Sequence, residues 1–148
     1  MSESMGEVDG KANVGKRIVA VIIDGISFSI VNVVLAAIVG WALAYLVTVA
    51  IALYVFGWRM GETGVTPGKQ VMGLKVVDAS TGELLGNQRG LQRAGLHWGV
   101  GMLGSLPALG ILGMLAGLAW LVDVIIALVD DRGQRYTDKI VGSIVANA

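Results

Sequence analysis

Two long apolar stretches each carry one charge, and in both it is an aspartate: residues 18–58 hold only Asp24, and residues 94–129 only Asp123. A carboxylate at lipid depth costs a few kcal/mol on insertion scales, and about 10 or more for an isolated charge, so such residues pair, face a cavity or bind something. Arg17 stands seven residues before Asp24, and Asp130 seven after Asp123. On a helix that spacing keeps each pair on one face, two turns apart. Two chemistries fit. Asp24 and Asp123, at similar depth in a two-hairpin arrangement, could share a site with Arg17 snorkelling nearby. One carboxyl would then keep its proton unless a cation replaced it, which is the chemistry of cation–proton exchange. Alternatively, Arg17 and Asp24 form a fixed ion pair that only locks helix packing.

Arg93 and His97 make a second pair, at helical i,i+4 spacing. His97, the one histidine, could relay protons at the mouth of such a site, or it could be a packed, hydrogen-bonded ring. With no second histidine and no cysteine, neither a transition-metal site nor a thiol nucleophile is expected. Gly64-Val65-Thr66-Pro67-Gly68-Lys69 invites comparison with a phosphate-binding loop. It fails, because the glycine spacing is short and Gln70 replaces the required Ser or Thr. Lys69 reads instead as an interfacial cation beside a proline-fixed turn. No catalytic-triad spacing, zinc-protease helix or dinucleotide fingerprint is present, so no enzyme and no cofactor are expected.

The elements that must position these residues are membrane helices. The chain of 148 residues is 55% hydrophobic and 15% charged, with a mean hydropathy of +0.73, outside the range of ordinary soluble domains. Its formal net charge is zero, so nothing advertises a nucleic-acid partner. A span needs roughly 20 apolar residues, and residues 18–58 accommodate two with a turn near Gly40-Trp41. Residues 94–129 are broken by Ser105-Leu106-Pro107 and Gly110, where proline removes a donor. The expected fold is mostly α and polytopic, with four helices in two hairpins over about 18–39, 42–58, 88–106 and 111–129. The third could span or lie at the interface. The first sixteen residues are polar and mixed in sign, which predicts a tail over 1–16 rather than a cleaved signal, before a single domain over 17–148.

All eleven Lys and Arg fall in 11–17, 59–93 and 132–139. Two hairpins put all three segments on one side, as the positive-inside rule expects, with both termini cytoplasmic. Gly95/Gly99 and Gly113/Gly117 are spaced for close helix approach, within the chain or between copies. Trp41, Trp58, Trp98 and Trp120 read as interface anchors or packing. The β-branched run Gln70–Asp78, the turn Ala79-Ser80-Thr81-Gly82 and Glu83-Leu84-Leu85 predict a small cytoplasmic β-hairpin over about 70–86. The tail from Lys139 to Val145 fits a third strand or a short amphipathic helix.

Arg17 before a first helix, Asp24 within it, Thr66-Pro67-Gly68-Lys69, Gly73-Leu74-Lys75-Val76-Val77-Asp78 and Asp138-Lys139-Ile140-Val141-Gly142-Ser143 together resemble the RDD family. These are small bacterial membrane proteins named for one arginine and two aspartates. The resemblance runs from about Arg17 to Val145 and implies that Arg17, Asp24 and Asp138 are the name-giving residues. It departs at Tyr136-Thr137, where relatives often have Leu-His, and at Ser143, often Thr. The first change puts any relay through that histidine in doubt. The resemblance implies a multi-pass protein of the bacterial plasma membrane and transport of an ion or small ligand, sodium–proton antiport included. An accessory role beside other proteins is its second implication.

Two functions are carried forward. In a transporter exchanging a monovalent cation for protons, Asp24 and Asp123 bind the ion or proton, Arg17 tunes them and Asp138 positions Arg17. Four short helices enclose no route alone, so that reading needs a homo-oligomer. In an accessory subunit, Arg17, Asp24 and Asp138 form a clasp, and the small-residue helix faces meet other membrane subunits. The lipid bilayer is a partner in both.

Overall fold

The computed structural model describes residues 12–99 and 110–148. Asn13 opens the first helix, its side chain accepting from the backbone N–H groups of Gly15 at 2.8 Å and Lys16 at 3.4 Å. The first turn leaves such donors without intrahelical partners. This helix, α1 (Val14–Val39), stops at Gly40, whose φ of +82° suits glycine. The chain reverses there into α2 (Trp41–Thr63), the turn expected from sequence. Asn32 Nδ2 donates to Thr48 Oγ1 at 2.9 Å across this hairpin, and Phe28 packs on Phe56 with ring centroids 4.9 Å apart.

The order continues through α3 (Pro67–Val71), strand β1 (Leu74–Asp78), α4 (Asn87–Ala94) prolonged by wider π-helical turns over Gly95–Gly99, α5 (Gly110–Val129), α6 (Tyr136–Val141) and strand β2 (Ser143–Asn147). Among the described residues three helices are long and apolar enough to cross a membrane: α1, α2 and α5. The expected helix over 88–106 is present as α4 and its continuation to Gly99. Residues 100–106, the break at Ser105-Leu106-Pro107 and the tail residues 1–11 lie outside the described residues.

The hairpin over 70–86 is corrected. A two-stranded sheet forms, but β1 pairs antiparallel with the C-terminal strand β2, in the register Leu74 opposite Asn147 and Val76 opposite Val145. Residues 83–85 form no strand. Ser143–Asn147 carries the apolar side chains that bury both faces of the pair, and Glu83-Leu84-Leu85 is too short to do so. Leu74, Val76 and Val145 join Ala12, Ala20 and Met60 in the core beneath the helices, and Val77, Ile144 and Ala146 form a smaller cluster on the other face. The tail divides between both expectations, helical over Tyr136–Val141 and extended over Ser143–Asn147.

Among the described residues, close helix approach within the chain comes from glycines other than Gly95, Gly99 and Gly117. A Cβ on Gly61 would lie 2.4 Å from the Gly86 carbonyl oxygen, and one on Gly90 2.4 Å from that of Gly57. Gly57, Gly61 and Gly90 therefore let α4 lie directly on α2, where Trp98 stacks on Phe56 at 4.9 Å. Gly95, Gly99 and Gly117 face open space. Trp41, Trp58 and Trp120 are exposed. The result gathers the cation-bearing segments at one end of the helices: Arg17 reaches Asp138, Arg93 reaches Asp138, and Arg132 Nη2 donates to the Ala79 carbonyl at 2.9 Å.

Candidate functional site

Thr66-Pro67-Gly68-Lys69 forms a turn pressed against α1. Thr66, extended as a residue before proline must be, caps α3, with Pro67 in its first turn. Gly68 sits so close that a Cβ would come within 2.0 Å of the Ala20 carbonyl oxygen and 3.0 Å of the Asp24 carboxyl carbon. That approach delivers two neutral donors to Asp24: Thr66 Oγ1 to Oδ2 at 2.6 Å and Gly68 N–H to Oδ1 at 2.7 Å. Asp24 is 4% exposed. Lys69 Nζ donates to Thr66 Oγ1 at 3.4 Å, so the ammonium and Asp24 are linked through one hydroxyl.

Asp138 anchors the opposite wall. It is fully buried, accepting from Arg93 Nε at 2.7 Å, Ser143 Oγ at 2.8 Å and the Arg135 backbone N–H at 3.1 Å. Arg17 Nη2 lies 3.8 Å away, and Arg17 Nη1 donates to the Gly133 carbonyl. Burial opposes ionisation of Asp138. The charge and hydrogen bond of Arg93, then Ser143 and Arg135, override it and hold the carboxyl well below the usual range.

Asp123 has its own surroundings. His97 Nδ1 lies 3.2 Å from Asp123 Oδ2, and Arg135 Nη1 lies 2.8 Å from His97 Nε2. Because a guanidinium only donates, Nε2 must accept and the ring proton sits on Nδ1, facing Asp123. The Thr137 N–H also donates to Asp123 Oδ1 at 3.2 Å. The lone pair that a relay through His97 would use is thus occupied by Arg135. Asp130, the partner read beside Asp123, holds the turn after α5: it pairs with Lys139 and accepts from Gln134 N–H at 2.9 Å.

Of the expected site residues, Arg17, Arg93 and Asp138 come together, as do His97 and Asp123. Arg17 and Asp24 do not pair, and Asp24 and Asp123 share no hydrogen bond: each carboxylate has its own donors. Beside Asp24 lies a cavity of about 40 Å³, lined among others by Arg17, Asp24, Lys69, Arg93, His97 and Arg135. By a measure in which one water needs ~10–15 Å³, it has room for about three. Burial, then the charge of Arg93, push the Lys69 ammonium down to about 7, against the pull of Asp24. Burial and Arg93 likewise bring Arg135 to about 10.

Arg135 is the member that sequence reasoning does not single out. Its signal is faint: a cation three residues before Asp138, at the start of a helix whose first turn takes the aspartate. Among the described residues no three His, Cys, Asp or Glu side chains cluster as a metal ion would need. What the arrangement offers is a cavity lined by four basic side chains and one carboxylate.

The RDD family model matches residues 11–142. No match was found among the curated proteins or among the solved structures. The matched span holds Arg17, Asp24 and Asp138 together with the turn and arginines that surround them, and the chain belongs to the RDD family.

Proposed function

We propose that this RDD protein has a transport-related role in which a small charged ligand enters the cavity between α1, α3, α4 and the Arg135 loop. One observation carries the reading: Arg17, Lys69, Arg93 and Arg135 converge on that cavity, with Asp24 as the carboxylate in its wall. Monovalent-cation exchange at a shared Asp24–Asp123 site is the weaker version. Both oxygens of Asp24 are engaged by fixed donors, and four basic side chains repel a cation. Proton coupling would run through Lys69, which gains or loses its charge near neutral pH. The polar layer faces the cytoplasm of a bacterial cell, both termini lie there, and the route is completed by self-association.

The test is flux in proteoliposomes with an internal pH dye. Rates that change when phosphate replaces chloride, and that fall in Lys69→Gln without loss of inserted protein, support the reading. Rates set by sodium or potassium and untouched in Lys69→Gln overturn it.

The Asp138 cluster favours a second reading, an accessory subunit clasped through Arg17, Arg93 and Asp138. A defined complex with other membrane subunits, seen by native mass spectrometry after mild-detergent purification, supports that role. A homo-oligomer without companions counts against it.

A further inference from the structure

A second space adjoins the cavity. Arg17, Val21 and Arg135 also line this space of about 210 Å³, a groove between α1 and α5. Its walls are apolar: Ile18 and Ile22 from α1, Trp120, Val124 and Leu128 from α5. Both helices are long and apolar enough to cross a membrane, so this groove opens toward hydrocarbon. Its one polar end is the pair of arginines it shares with the cavity.

We propose that the two spaces form one binding site for an anionic phospholipid, its phosphate held by Arg17, Lys69, Arg93 and Arg135 and an acyl chain lying in the α1–α5 groove. Arginines present paired N–H donors that match phosphate oxygens, and basic pockets between membrane helices suit lipid headgroups. Charge complementarity selects the head, and the lining that both spaces share at Arg17, Val21 and Arg135 selects a ligand with a tail. A free anion would satisfy the cations and leave the groove unused. The inference rests on the cavity reading above and names the ligand class.

Protonation should be linked to occupancy. Lys69 faces Arg17 and Asp24 from α1, Arg93 and His97 from α4 and its continuation, and Arg135 and Asp138 from the C-terminal segment. Burial is the largest cause that pulls its proton affinity down to about 7, with Arg93 and then Arg135 adding to it against Asp24 and Asp138. A phosphate group at the centre supplies the missing negative charge, so binding should be tighter at pH 6 than at pH 9.

The experiment is native mass spectrometry of the full-length protein in mild detergent, titrated separately with phosphatidylglycerol, with diacylglycerol of the same chains and with inorganic phosphate. The expected result is retained phosphatidylglycerol, diacylglycerol at least about tenfold weaker, and about tenfold loss for phosphatidylglycerol in Lys69→Gln, restored in Lys69→Arg. Ile18→Trp, at a half-exposed groove position, should weaken phosphatidylglycerol while leaving any phosphate response intact. A single cooperative thermal unfolding transition in each variant certifies the fold. Diacylglycerol binding as tightly as phosphatidylglycerol overturns the proposal. Lys69-dependent phosphate binding with no preference for the lipid also overturns it, yet leaves the cavity reading standing. If neither phosphate nor phosphatidylglycerol responds to Lys69, both fall.

Discussion

Asp138 is met by charged side chains, with Arg93 at 2.7 Å and Arg17 at 3.8 Å, whereas Asp24 is met by a hydroxyl and a backbone N–H from a proline-fixed turn. Both aspartates are buried at the same polar end of the molecule. The difference lies in what each can do. Asp138 is locked as an anion by two cations, and its protonation would undo the junction of α1, α4 and α6. Asp24 is held by neutral donors, and the Lys69 amine stands one hydroxyl away. One pole is a clasp, and the other is the side on which charge can change.

The largest effect expected from breaking this contrast is at the clasp. Asp138→Asn removes a charge facing two buried arginines and should cost about 3–5 kcal/mol, as broken buried pairs do. Thermal unfolding in detergent and membrane abundance would both fall. Because the folded-state carboxyl titrates below its unfolded value, its stabilisation is complete above the usual carboxylate range and is lost as pH falls through the folded value. Unfolding measured from pH 6 down to pH 3 should show the onset of that loss in the parent and a smaller one in Asp138→Asn.

The Asp24 pole should respond less. Thr66→Val keeps the shape of the cap residue and deletes a hydrogen bond to a charged group, expected to cost about 1.5–3 kcal/mol. Thr66→Ser should recover most of it. Gly68→Ala must push the turn off α1, since its Cβ would stand 2.0 Å from a backbone oxygen. A cost of about 1–3 kcal/mol is the scale for such overpacking. Equal costs for Asp138→Asn and Thr66→Val would erase the distinction between the poles.

Much of this architecture is legible in the sequence, because membrane helices and the positions of cations follow from composition alone. The Gly40 turn, the single polar end and the strand at 74–78 are read directly from residue types. The site is legible in its membership and not in its pairing. Arg17 and Asp24 share a helix face, so spacing suggests an ion pair. In fact Gly68 lets a turn 44 residues away supply the donors for Asp24, and Arg17 turns to Asp138. Arg93 meets Asp138 across 45 residues, a distance at which periodicity carries no information. The hairpin fails for the same reason, since local turn chemistry at 79–82 says nothing about a strand at the other end of the chain.

The remaining expected effect is the most direct one. Lys69 has a folded-state value near 7, below its unfolded value near 10.4. Between those limits the unfolded chain binds the extra proton, so stability should rise with pH from about 7 to 10 in the parent and stay flatter in Lys69→Gln. The central claim, that one buried lysine sets the charge of a cation-lined cavity, is best tested by NMR titration of protein carrying 15N-lysine in detergent. One side-chain resonance should titrate near pH 7, be missing in Lys69→Gln and move to higher pH when phosphatidylglycerol is added. If every lysine titrates near 10, with or without the lipid, the account is wrong.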